Sequence, residues 1–216
     1  MDYQLIIKVA PFFAKAAWST VVVSFLSFAL GLSIAFPAAF CRLSQNRFLQ
    51  IPARVYVSVF RGTPCLIQLF VIYFGGPQIG IQLEPFMAGV LGLGINIGSY
   101  MTESIRGAIL AVSRGQTEAS RSLGLNKFQT MRKVVLPQAA GLMISPLGVN
   151  TIALIKGSSL VSAISVLELA YTAHRFTNST YRPFEMFILA STFYLVIITL
   201  TSKAIRNLNG RFAYEK

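Results

Sequence analysis

Five long apolar stretches, separated by short segments that carry most of the basic residues, leave this chain little choice but a bundle of membrane-spanning helices. A helix needs about 20 mostly apolar residues to cross the hydrocarbon core of a bilayer. Stretches of that length run from about Phe12 to Phe40, Val55 to Phe74, Phe86 to Val112, Val135 to Ile155 and Pro183 to Ala204. Composition agrees: 54% of the 216 residues are hydrophobic and only 12% charged, against about 25% charged in a typical soluble domain. One membrane domain, residues 1–216, is the natural unit. The run Leu160 to Tyr171 is too short to cross straight and is bounded by Gly157-Ser158-Ser159 and Asn178-Ser179-Thr180. It reads as a re-entrant or interfacial helix, tolerated at membrane depth only where protein or water covers its ends.

A net charge of +12 raises the question of nucleic acid, but the basic residues lie between apolar spans rather than on one polar face, so no nucleic-acid partner is expected. They report topology instead. Arg42, Arg47 and Arg54 follow the first span; Arg114, Arg121, Lys127, Arg132 and Lys133 follow the third; Lys203, Arg206, Arg211 and Lys216 follow the fifth. These belong in the cytoplasm. The 75–85 segment has no basic residue, which places it, the N-terminus and the 157–182 segment outside, against the minority of Lys8, Lys15, Lys156, Arg175 and Arg182. No cationic start followed by a small-residue cleavage site precedes the first span, which serves as its own insertion signal.

Several chemistries are excluded. Asp2 is the only aspartate, so neither a Ser-His-Asp nor a paired-aspartate site is available. Cys41 and Cys65 lack metal or redox spacing, no metal site is expected, and His174, the only histidine, reads as a solvated outer-surface residue. There is no G-x-x-x-x-G-K-[ST] loop, so the chain should not bind or hydrolyse ATP and needs no cofactor of its own.

Residues 118–137 form a charged, amphipathic island between apolar spans. Glu118, Ala119, Ser122, Leu123 and Leu125 suit a short helix with Glu118 near its positive end. Gly124 permits a turn, a basic stretch with Lys127, Phe128, Met131, Arg132 and Lys133 follows, and Pro137 suits the start of the next helix. The product is a compact helix-turn-helix knob: a docking handle, or an ordinary basic loop. Upstream, Arg61-Gly62-Thr63-Pro64 breaks a helix, since Pro64 removes a donor and Gly62 frees the backbone. Such breaks line transport paths or are simply packed kinks. In the third stretch Asn96, Tyr100, Glu103 and Gly107 share one helical face. Gly94 and Gly98, on a neighbouring face, permit close approach of another helix. Glu103 within the membrane is a functional candidate by default, or else an intrahelical partner of Arg106.

The order Glu118-Ala119-Ser120, Gly124, then Val134-x-Leu136-Pro137 resembles the EAA loop of permease subunits of bacterial ATP-binding-cassette importers, with Ser120 for the usual Ala and Val134 for the usual Ile. Phe60-Arg61-Gly62-Thr63-Pro64 with Gln68-Leu69-Phe70, and the spacing Asn96, Tyr100, Glu103, Arg106, Ala108, resemble the polar amino acid branch. The resemblance implies an all-α type I importer permease fold of about five spans in the bacterial inner membrane, with a cytoplasmic coupling loop at about 113–134. It implies partners: ATPase subunits that bind ATP, an extracytoplasmic amino-acid-binding protein, and a second permease subunit, identical or similar. Glu118, Ala119, Ser120, Leu123, Gly124, Leu125, Phe128 and Pro137 would form the ATPase-docking loop; Arg61, Thr63, Gln68, Asn96, Tyr100 and Glu103 would line the substrate path. Gly157 stands where relatives commonly carry Asp. The alternative is a membrane scaffold that recruits a soluble partner through the same knob, although a scaffold has no need of Asn96 and Glu103. A channel lacks any ring-forming filter motif.

Overall fold

The computed structural model describes residues 3–213; Asp2 and Lys216, used above, lie outside that range. Every regular element among the described residues is helical. The chain runs α1 (Tyr3–Leu43), α2 (Arg47–Gly62), α3 (Cys65–Phe70), α4 (Pro85–Leu110), α5 (Arg114–Ser122), α6 (Lys127–Thr130), α7 (Leu136–Gly157), α8 (Leu169–Thr180) and α9 (Pro183–Ala213).

Length and apolarity alone mark three helices as able to cross a membrane, within Gln4–Leu43, Lys127–Ile164 and Pro183–Arg211; α2 and the α3 segment count as a fourth if taken as one bent span. The third stretch, α4, is long enough at 26 residues, about 39 Å at ~1.5 Å per residue, yet too polar for that count. Its position explains the difference. Helix α4 is the centre of the bundle, with Leu93, Ile97, Met101 and Ile105 in the core and α1, α2, α3 and α7 around it. A helix sheathed in protein does not have to match lipid. The lipid-compatible surfaces are elsewhere, on α1 (Trp18, Phe25) and α9 (Leu195, Leu200), whose side chains are exposed.

Helix α1 lies along α4 where Gly31 meets Gly94 and Gly98. A Cβ on Gly98 would sit 3.0 Å from the Gly31 carbonyl oxygen and 2.8 Å from the Tyr56 hydroxyl, so the backbones approach as only small residues allow. The Tyr56 hydroxyl donates to the Ile95 carbonyl at 2.7 Å, fastening α2 to the same side of α4. A second, smaller core joins Val9, Phe13 and Ala16 of α1 to Leu169 and Ala173 of α8 and Met186 and Ala190 of α9. It forms the end of the molecule opposite Arg42.

The boundaries depart from the sequence expectation in instructive ways. The 41–54 segment is almost wholly helical, with only Ser44–Asn46 linking α1 to α2; the Asn46 side chain caps α2 by accepting from the Phe48 amide at 2.9 Å. The fourth stretch does not begin at Pro137: α6, a π-helical turn at Met131–Val135 and α7 form one continuous rod. Pro137 offers no amide to the preceding turn, and the wider turn, in which the Leu136 amide reaches back to Met131, absorbs the defect. The run Leu160 to Tyr171 is not one helix. A 3₁₀ segment, Ser158–Ile164, ends at Ser165 with φ 66°, and the chain is extended before α8. Val161, Ile164, Val166 and Leu169 are all buried, so protein does cover this short apolar run. Glu168, fully buried, accepts from the Tyr171 amide at 2.8 Å and the Tyr194 hydroxyl at 2.6 Å, which caps α8 and ties it to α9.

Candidate functional site

The predicted break is present and sharp: α2 and the helical segment after it, Cys65–Ile79, meet at 106° across Thr63-Pro64. A broken helix leaves carbonyls without amide partners. Here Gln68 and Asn96 satisfy them. Gln68 Nε2 donates to the Phe60 carbonyl at 3.0 Å, the Thr63 carbonyl at 3.1 Å and Thr63 Oγ1 at 2.7 Å, while Asn96 Nδ2 donates to the Phe60 carbonyl and to Gln68 Oε1, both at 3.0 Å. Three of the residues proposed for the substrate path, Thr63, Gln68 and Asn96, therefore form a latch that holds the break against α4.

The other three, Arg61, Tyr100 and Glu103, face an open cavity of about 420 Å³ shared with Arg42, Arg54, Val57, Ser58 and Gly62. One face of α2 supplies Arg54, Val57, Ser58 and Arg61 at the spacing i, i+3, i+4, i+7. Opposite, α4 supplies Tyr100 and Glu103. The Arg61 guanidinium lies 5.1 Å from the Tyr100 ring centroid, a cation–π arrangement that spreads the side chain over the cavity wall. Glu103 is doubly held: Oε1 accepts from Arg42 Nε at 3.0 Å, and Oε2 from Arg106 Nη2 at 2.7 Å and Nε at 3.0 Å. The intrahelical pair with Arg106 thus exists, and Arg42 of α1 adds an interhelical one. With both oxygens engaged by Arg42 and Arg106, Glu103 has no free oxygen for Arg54 or Arg61, which stand as the cavity's unpaired cations. No ion pair involves Arg54 or Arg61 among the described residues.

From sequence Arg42 and Arg54 read as topological charges. For Arg54 a further signal is present, the seven-residue spacing Arg47, Arg54, Arg61, which puts three guanidiniums on one side of α2. Nothing in the sequence placed Arg42 beside Glu103, a contact across 61 positions.

The knob is built as two helices at a fixed angle. Helix α5 ends with the Gly124 amide bonded to the Arg121 carbonyl at 3.0 Å and the Leu125 amide to the Ser120 carbonyl at 3.2 Å. Gly124 has φ +83°, the left-handed conformation that favours glycine at a helix end. Asn126 and Gln129 then form a capping box at the start of α6. Ser120 is buried and its hydroxyl lies 3.2 Å from Thr130 Oγ1, pinning α5 on α6, and Gln138 reaches Gln116 at 3.3 Å. Leu123 and Phe128, 84% and 70% exposed, project from this frame. Glu118 and Ala119 are exposed beside them and Leu125 is half-buried. Glu118 is the fifth residue of α5 rather than in its first turn, because the helix begins earlier, at Arg114. Pro137 lies on the rod beyond the knob.

Comparison with known proteins agrees with this architecture. The chain is 36% identical over 215 residues to the nopaline transport system permease protein NocM of Agrobacterium fabrum, covering 95% of this chain and 89% of that one. It is 35% identical over 212 residues to the glutamine transport system permease protein GlnP of Escherichia coli, covering 97% of each. The crystal structure of an amino acid ABC transporter with histidines superposes with a TM-score of 0.93 at 35% identity, over 98% of this chain and 99% of that one. An inward-facing structure of the MetNI methionine ABC transporter shares the fold, with a TM-score of 0.82 at 21% identity over 95% and 98% of the two chains. Residues 11–214 match the family described as binding-protein-dependent transport system inner membrane component, and the chain, a multi-pass helical bundle with the type I importer permease fold, belongs to that family.

Proposed function

We propose that this permease subunit carries polar amino acids through the cavity between α2 and α4, taking them from an extracytoplasmic binding protein and its driving energy from separate ATPase subunits seated on the α5–α6 knob. The carrying observation is the cavity itself: two unpaired guanidiniums, Arg54 and Arg61, beside an aromatic ring and a carboxylate whose oxygens are both held by other arginines. Every amino acid offers an α-carboxylate, and a guanidinium pair is the group best suited to receive one. The permease pairs with a second, identical or similar, subunit, and ATP stays on the partner. A membrane scaffold has no use for such a cavity. The names of the relatives support an amino acid or a derivative of one as substrate.

The test is uptake into proteoliposomes holding the permease, its ATPase and its binding protein. Arg61→Gln should weaken carboxylate recognition and raise the substrate concentration needed for half-maximal uptake roughly 10- to 100-fold, the range for a hydrogen bond to a charged group. Assembly with the ATPase should persist. Unchanged uptake in both Arg61→Gln and Arg54→Gln would remove the cavity from the path.

A further inference from the structure

A second, larger groove of about 690 Å³ opens between α1, the start of α4 and α8, away from the cavity just described. We propose that it is a binding site for an anionic phospholipid, with the phosphate between Lys15 and Arg175 and an acyl chain along the apolar wall. The wall is aromatic. Phe12 and Phe176 are packed at 5.4 Å between centroids, Phe86 lines the same groove, and Trp18, also lining it, is 69% exposed on α1.

Depth supports a lipid. Along α1 the rise from Arg42 to Lys15 is about 40 Å at ~1.5 Å per residue, which matches a bilayer with its headgroup layers, about 40–45 Å. With Arg42 at one interface, Lys15 and Trp18 reach the headgroup level of the other, where tryptophan and lysine are favoured. Below them α1 exposes Val21 and Phe25, the surface expected against acyl chains.

Charge supports an anionic one. Lys15 and Arg175 are both exposed and form no ion pair among the described residues, although Glu84 also borders the groove. Glu84 leaves one positive charge in excess. A zwitterionic lipid would bring its own cation against two others, so the groove selects a headgroup whose net charge is negative.

Trp18 is the only tryptophan in the chain and makes the site self-reporting. The full chain is reconstituted in phosphatidylcholine vesicles containing a small fraction of either dibrominated phosphatidylglycerol or dibrominated phosphatidylcholine, and quenching of Trp18 emission is titrated. The anionic probe should compete for the Trp18 site roughly 5-fold better, on about 1 kcal/mol for the one cation in excess. Lys15→Gln/Arg175→Gln should equalise the two probes. Lys8→Gln, on α1 but outside the groove, should keep the preference, and so should the charge-retaining Lys15→Arg/Arg175→Lys.

Equal quenching in the unsubstituted chain overturns the site. So does a preference that survives the double glutamine variant, or one lost equally in Lys8→Gln, which would mean diffuse attraction to the surface. Loss in the charge-retaining variant would show that packing, not charge, governs the groove. If the glutamine variant keeps its lipid preference but loses capture of the binding protein, the groove is a protein-docking surface instead.

Discussion

A single side chain, Gln68, decides whether the break in α2 is a defect or a device. It makes three donor contacts to the segment it follows and accepts a fourth from Asn96. An isolated interhelical hydrogen bond in a membrane protein averages only about 0.6 kcal/mol, because the unfolded chain finds other partners. Removing Gln68 strips the Thr63 carbonyl of a side-chain partner and leaves an Asn96 contact unmade in a buried place, so Gln68→Met should lower stability by about 1–3 kcal/mol. A denaturation series in detergent measures it. A residue that contacts substrate would instead alter uptake with stability intact, and that pattern would refute the latch. Both residues could be singled out in the sequence, Asn96 from the polar face of its span and Gln68 from the resemblance of its segment to the permeases; the latch they form could not. Sequence spacing shows which residues share a helix face, but the Phe60 carbonyl that both side chains reach belongs to another helix, and only tertiary structure brings it there.

At the scale of elements, the α5–α6 knob illustrates how local rules combine into a rigid handle. Its turn, caps and buried Ser120 are each short-range features, and two of them were readable as residues: Gly124 as a turn and Ser120 as a motif position. What escaped was continuity. Pro137 reads as a helix start, yet the π-helical turn at Met131–Val135 carries the helix through it, so a displacement of the knob acts directly on a rod that continues to Ile164. Gly124→Val places a β-branched residue at φ +83°, with no neighbouring atom within 4 Å of its Cβ to clash with. The Cβ itself meets no obstacle, so the penalty is mainly backbone strain, about 1–2 kcal/mol, and it falls on the angle between α5 and α6. Membrane insertion should be normal while substrate-stimulated ATP hydrolysis by the assembled transporter falls at least severalfold; Gly124→Asn, which tolerates this conformation better, should retain more of it. Undiminished hydrolysis in the valine variant would show that the angle is not transmitted.

The whole molecule has two ends of different character. One end gathers the start of α1, α8 and the start of α9 around Phe13, Leu169 and Met186, with Glu84 and Glu185 close to its few basic residues. The opposite end holds Arg42 beside Glu103 and Arg106, and the knob with Arg114, Arg121, Lys127, Arg132 and Lys133. Basic residues concentrate on the cytoplasmic side of membrane proteins, so the knob end should face the cytoplasm and α8 the exterior. Cysteines introduced singly at Asn178, exposed near the end of α8, and at Leu123, exposed on the knob, read this out in a background with Cys41 and Cys65 replaced. An impermeant thiol reagent added to intact cells should label position 178 at once and position 123 only after the membrane is opened. The reverse pattern would invert the molecule, move the knob away from any cytoplasmic ATPase, and so overturn the proposed energy input as well as the topology.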